Sequence, residues 1–185
     1  MSVLRPFRCD DMFKFNNMFN LDVWTETYGL SFYLNYLATW PDLCYVQAAP
    51  QWASNGIYSF NILPVGNVDG KNGHVTALTV APEYRRLGIA RKLTALLEFV
   101  SDTVYHAFFV DLFVRCKNDV AIEMYEGMGY SVWRRIRQYY GSLGIGIRGR
   151  DEEDAFDMRK PLSRDSSRRS VRPNGRDMIV DITGA

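Results

Sequence analysis

Residues 74–93, HVTALTVAPEYRRLGIARKL, confine this chain to a small set of folds. They read as a β-strand over 74–80, a turn marked by Pro82, a loop of two arginines around one glycine, and an amphipathic helix. Within it, Arg85, Arg86, Leu87, Gly88, Ile89 and Ala90 fit the pattern Arg/Gln-x-x-Gly-x-Gly/Ala. The start of a helix leaves backbone N–H groups without internal partners and carries a partial positive charge, so it suits a phosphate. Gly88 lets backbone approach that phosphate closely, and Ala90 keeps the first turn unobstructed. Arg85 and Arg86 add charge and donors. The pattern implies a cofactor that carries a pyrophosphate.

At 185 residues and 47% hydrophobic composition, the chain can bury the core of one globular domain. A net charge of +1 gives no bulk electrostatic case for DNA, RNA or an acidic membrane. Cys9, Cys44 and Cys116 lie far apart and read as free thiols in a reducing compartment. Arg5, Arg8 and Asp10 interrupt any signal-peptide run, and no stretch approaches the roughly 20 apolar residues that span a bilayer. A soluble cytoplasmic or nuclear location is expected. No set of His, Cys or carboxylates stands at metal-ligand spacing, so no metal is expected.

The periodicity predicts an α/β chain. Strands are expected over 3–7, 43–48, 56–63, 74–80, 107–114, 130–140 and 154–160. Helices are expected from Asp10 or Asp11 onward with Phe13, Phe15, Met18 and Phe19 as apolar residues, over 25–38, after Gly88, and after Asn118 as N-cap. Ala121, Met124, Tyr125 and Met128 form the inward stripe of the last helix, and Gly129 is its stop. Residues 66–73 form a turn-rich connection. Residues 1–162 read as one domain, and 163–185 as a basic, mostly disordered tail.

Strand, Arg-x-x-Gly-x-Ala loop, helix, buried strand, Asn-capped helix and aromatic strand, in that order, resemble the GCN5-related N-acetyltransferase family. Asn118, Ala121, Tyr125, Gly129 and Tyr130 supply its second motif. Within that family TETYG at 25–29, HVTAL at 74–78, FVDLFVR at 109–115, Tyr139-Tyr140, DMRK at 157–160 and LSRD at 162–165 are similar to the catalytic subunits of NatB-type N-terminal acetyltransferases. The resemblance implies a mixed central sheet of about seven strands flanked by about four helices. It implies acetyl transfer from acetyl-CoA to the α-amine of nascent proteins that begin with Met followed by Asp, Glu, Asn or Gln. A large helical-repeat auxiliary subunit docked on the first two helices, and action at the ribosome, are implied with it. Residues 51–73 and the glycine-rich 141–150 depart from the family pattern. They keep open a same-fold acetyltransferase with another amine substrate, and a non-catalytic acyl-CoA-binding subunit.

Acetyl transfer from a thioester to an amine needs a neutral amine, a stabilised oxyanion and a proton or hydrogen bond for the leaving thiolate. An α-amine has a pKa of about 7.7–8.0, so a weak base acting through water suffices. Backbone N–H groups near Leu78 and Val80 are candidates to polarise the thioester carbonyl. In the family context Tyr125 is the candidate donor to the CoA sulfur, against a plain core tyrosine. His74 is a candidate for peptide binding or a proton relay. In the family context Glu26, Tyr28, Tyr139 and Tyr140 are expected along the peptide and Thr76 and Phe113 around its methionine, against a plain first-turn acid at Glu26, an alternating strand pair at Tyr139 and Tyr140, and ordinary sheet residues at Thr76 and Phe113. Arg85, Arg86, Gly88, Ile89 and Ala90 are expected at the CoA pyrophosphate, mostly through backbone, and Asn118 at the pantetheine arm as well as at its helix cap.

Overall fold

The computed structural model describes residues 2–14, 28–48, 57–62, 65–66, 72–140 and 153–181. Along the chain these form β1 (Val3–Pro6), α1 (Leu30–Thr39), β2 (Cys44–Ala48), β3 (Ile57–Ile62), β4 (Val65–Gly66), β5 (Asn72–Val75) and β6 (Ala77–Val80). There follow α2 (Ile89–Thr103), β7 (Phe109–Arg115), α3 (Asp119–Glu126), β8 (Ser131–Ile136), β9 (Ala155–Pro161) and β10 (Ile179–Val180). Short 3-10 turns stand at Cys9–Lys14, Pro41–Leu43, Pro82–Tyr84 and Gly175–Asp177. The chain divides into two units, Met1–Pro64 with Val75–Leu97, and Val65–His74 with Glu98–Ala185.

The first unit carries a four-stranded sheet in the order β1-β2-β3-β6, antiparallel throughout. Phe7, Tyr33, Cys44, Val46 and Ala81 form its buried centre, with Phe32, Tyr36, Leu37 and Tyr84 packed around them. Tyr33, Tyr36 and Leu37 recur at helical spacing, and this stripe is what α1 buries. The helix starts at Leu30 and not at residue 25. Gly29 is its N-cap with extended backbone, and residues 25–27 lie outside the described residues. Asp11 is fully buried and takes Arg5 at 2.6 and 2.7 Å, as well as the Arg8 N–H at 3.0 Å. It caps the 3-10 turn Cys9–Lys14; Phe15, Met18 and Phe19 lie outside the described residues.

The expected strand over 74–80 is two strands. β5 belongs to one sheet and β6 to the other, and Thr76 between them belongs to neither. The run is apolar and β-branched enough to read as one strand, and nothing local reports the change of partner.

The second unit holds a six-stranded sheet in the order β10-β8-β9-β7-β5-β4. β7 is central, as its apolar run predicts: Val110, Leu112 and Val114 are buried on one face beside Met158 of β9. α3 is capped by Asn118, whose side chain accepts the Ala121 N–H at 3.2 Å. Gly129 stops it at φ +92, a backbone that favours glycine. β8 ends at Ile136, short of the expected 140. Gln138 takes a left-handed backbone at φ +49, and Asp154 fixes that turn by accepting its N–H at 2.9 Å and the Arg135 Nε at 2.6 Å. Tyr139 and Tyr140 therefore sit in a turn and not on a strand.

The segment after residue 162 differs from the disordered tail that its composition predicts. Residues 163–181 are built into this unit. Buried Asp165 accepts the N–H groups of Arg169 and Ser170, both at 2.8 Å, and the Ser170 hydroxyl at 2.6 Å. The Arg172 guanidinium stacks 3.6 Å from the Trp133 ring centroid, and Arg176 reaches Glu126 at 2.7 Å. β10 then pairs parallel with β8. Arginines and serines give no apolar pattern, but hydrogen bonding to a sheet edge needs none. Gly175 shows how closely the segment is seated, because a Cβ there would collide with the Val132 carbonyl. Gly175→Ala is expected to cost about 1–3 kcal/mol and lower the melting temperature by several degrees. An unchanged melting curve would show that the segment does not need this seat.

Candidate active site

In the first unit, β6 is the last strand of its sheet, so one edge of its backbone faces no further strand of that sheet among the described residues. Leu78 and Val80 are two residues apart on it and direct their N–H groups to the same side. The chain then turns through Pro82–Tyr84 and enters the arginine loop. The Arg85 Nε donates to the Val80 carbonyl at 3.1 Å and ties the loop to the strand end. Arg86 and Gly88 both adopt left-handed backbone, at φ +65 and +75. The first main-chain bond of α2 runs from the Lys92 N–H to the Gly88 carbonyl at 3.1 Å, so the N–H groups of Ile89 and Ala90 precede it. A Cβ built on Gly88 meets nothing within 4 Å. The loop thus offers open space, exposed Arg86, and the positive end of a 15-residue helix, a donor set that fits a pyrophosphate. Ile89 itself is buried with Leu93, against Tyr45, Leu78, Val80 and Tyr84, so it can serve the site only through its backbone.

The second unit gathers His74, Phe113, Tyr139 and Tyr140 into one line of ring contacts. Centroids are 5.3 Å apart from His74 to Phe113, 4.7 Å from Phe113 to Tyr139, and 5.2 Å from Tyr139 to Tyr140. The turn that carries the two tyrosines is held from beneath. The Tyr140 N–H donates to the Glu153 carbonyl at 3.2 Å, and Arg115 stacks 4.0 Å over the Tyr140 ring while pairing with the Glu153 carboxylate at 3.2 Å. The His74 Nδ1 stands 2.9 Å from the Asp111 carboxylate, and Asn72 donates to the same oxygen at 3.1 Å. Asp111 and Asn72 were missed by sequence reasoning. The signal was present in the single charge that interrupts an apolar strand, since a buried carboxylate requires partners.

Tyr125 faces inward on α3, buried, with its ring 5.6 Å from that of Tyr130. Burial pushes its phenol well above the ordinary tyrosine value, so it stays protonated and can only be a hydrogen-bond donor or neutral acceptor near neutrality. The Asn118 side chain is occupied at the cap through Oδ1, which leaves its amide nitrogen for other use. The Thr76 hydroxyl is buried with no hydrogen-bond partner among the described residues. Tyr28 precedes α1 and stacks on Phe32 at 4.0 Å. Glu26 and the segment 141–150 lie outside the described residues.

The model of the acetyltransferase (GNAT) family matches residues 11–130. The chain is 45% identical to the N-terminal acetyltransferase B complex catalytic subunit NAA20 of Arabidopsis thaliana, over 98% of this chain and 97% of that one. Chaetomium thermophilum Naa20, solved in complex with a bisubstrate analogue, superposes with a TM-score of 0.85 at 41% identity, covering 98% of this chain and 97% of the other. A chain of the NatB acetyltransferase complex bound to CoA and MES gives a TM-score of 0.71 at 36% identity, covering 86% and 99%. The strand, loop and helix read from residues 74–93 are therefore those of the GNAT acetyltransferase family, to which this chain belongs as a protein N-terminal acetyltransferase of the NatB catalytic-subunit group.

Proposed function

We propose that this enzyme transfers the acetyl group of acetyl-CoA to the α-amine of proteins that begin with Met followed by Asp, Glu, Asn or Gln. It does so on nascent chains at the cytoplasmic ribosome, together with a large helical-repeat auxiliary subunit. The observation that carries this reading is the likeness to NatB catalytic subunits along nearly the whole chain. Local geometry supports each half of the chemistry.

The loop from Arg85 to Ala90 holds the pyrophosphate of the acetyl donor through backbone N–H groups and Arg86, and Asn118 reaches its pantetheine arm. Backbone N–H groups at Leu78 and Val80 stabilise charge that develops on the thioester oxygen. The Tyr125 hydroxyl donates to the sulfur. Tyr139 and Tyr140 bind the peptide backbone, Tyr28 is a further contact to it, and Phe113 packs against its methionine. His74 contacts the peptide and takes the amine proton through water. That task is light, because an α-amine with a pKa of about 7.7–8.0 is partly neutral at pH 7.

Turnover on peptides beginning Met-Asp, Met-Leu, Ser-Glu and Glu-Glu, with and without the co-purified auxiliary subunit, tests the reading. Selective acetylation of Met-Asp is the expected result. Preference for another peptide would move the substrate to a different amine on the same fold. Saturable acetyl-CoA binding with no turnover under either condition would favour a non-catalytic subunit.

A further inference from the structure

We propose that Asp111, steadied by Asn72, is a positioning residue that locks His74 in the tautomer with hydrogen on Nδ1 and so presents Nε2 as the proton acceptor. The inference rests on the role of His74 proposed above and assigns the group that makes this role possible.

Asp111 sits in the central strand β7 between buried Val110 and Leu112 and is itself only 8% exposed. A carboxylate in such a place is costly unless it is hydrogen-bonded. Its Oδ1 receives two contacts from β5, the neighbouring strand of the same sheet: His74 Nδ1 at 2.9 Å and Asn72 Nδ2 at 3.1 Å. An ionised carboxylate only accepts, so the hydrogen of that short contact is on Nδ1. A neutral imidazole has one ring N–H, which leaves the Nε2 lone pair bare. The orientation of the ring is fixed as well. Phe113 follows Asp111 by two residues, projects from the same face of β7, and packs against the imidazole at 5.3 Å. Asn72 holds the carboxylate oxygen from the strand that carries His74, so acceptor, ring and packing partner are set by two adjacent strands.

The proton balance follows. An N–H bond of the substrate ammonium breaks, its proton passes through one water to Nε2, and the nitrogen lone pair becomes the nucleophile. The imidazolium formed has the Asp111 carboxylate at its Nδ1–H and returns the proton to solvent from Nε2. Among the described residues, Arg159 stands opposite Asp111 in the β9 register, Arg115 lies beyond Phe113 on β7, and the Tyr130 phenol feels the Asp111 charge.

The chain has two histidines, so ¹⁵N-histidine labelling gives two ring systems, and the His106→Gln variant assigns the one that remains. The wild-type enzyme is expected to show His74 as the Nδ1–H tautomer, and Asp111→Asn to lose it. Asp111→Asn is expected to lower kcat by at least ~10-fold with acetyl-CoA affinity unchanged, and to add little to the loss in His74→Gln, as two residues acting as one unit do. A wild-type Nε2–H tautomer would overturn the proposal without any variant. So would losses that multiply in the double variant. Wild-type turnover by His74→Gln would overturn both this proposal and the role given to His74.

Discussion

Gly88→Asp is expected to weaken acetyl-CoA binding by about 100-fold while the protein stays folded. Two features of the loop decide the size of the effect. The first is backbone. Gly88 stands at φ +75, where a side chain is disfavoured, but Asp and Asn tolerate this region better than other residues. Strain alone therefore costs about 1 kcal/mol. The second is space. A Cβ at this position meets nothing within 4 Å, so the new side chain starts from open space and gives the fold no steric reason to fail at that atom. In the proposed cofactor site it sets a negative charge beside a pyrophosphate held at the Ile89 and Ala90 N–H groups. Gly88→Asn is the matched control, of similar size and backbone tolerance but neutral. Calorimetric titration of both variants with acetyl-CoA separates the terms. The Asn variant should lose the part due to occlusion and strain, and the Asp variant should lose more, by an amount that shrinks as salt is raised. Equal affinities for Asp and wild type would remove this loop from the cofactor site.

That loop was legible because its chemistry is local. A left-handed glycine, an adjacent helix start and flanking arginines all fall within six residues, and the same is true of the Asn118 cap. The central strand β7 was legible through its apolar run. What the sequence did not disclose depends on partners distant along the chain. Thr76 looks like the middle of one strand and is the point where the chain changes sheets. Asp111 lies 37 residues from His74, and only the pairing order of the sheet makes them neighbours. The tail folds because β8 offers an edge and Trp133 and Glu126 offer seats for arginines, none of which shows in residues 163–181 themselves. Gln138 ends β8 by a backbone angle that its side chain does not announce.

Tyr125→Phe is expected to lower kcat by about 100-fold, with KM for peptide and acetyl-CoA nearly unchanged, because in the role proposed for it the lost hydroxyl acts when charge reaches the sulfur. The environment of the phenol decides what it does there. Burial raises its pKa well above the ordinary value of about 10, whereas a thiol ionises near 8.5. Full proton transfer from this phenol to a thiolate is uphill, so the role proposed for Tyr125 is an O–H···S hydrogen bond to the departing sulfur, made without giving up its proton. The sign of the pH effect follows. Ionisation would abolish the donor, and a raised pKa postpones ionisation to higher pH. The ratio of wild-type to Tyr125→Phe kcat should therefore stay level from pH 7 to about 10. A ratio that fell toward one as pH rose through this range would mean that the phenol titrates like an exposed tyrosine. A variant with wild-type kcat at every pH would reduce Tyr125 to a core ring packed on Tyr130 and leave the sulfur to be served by another donor.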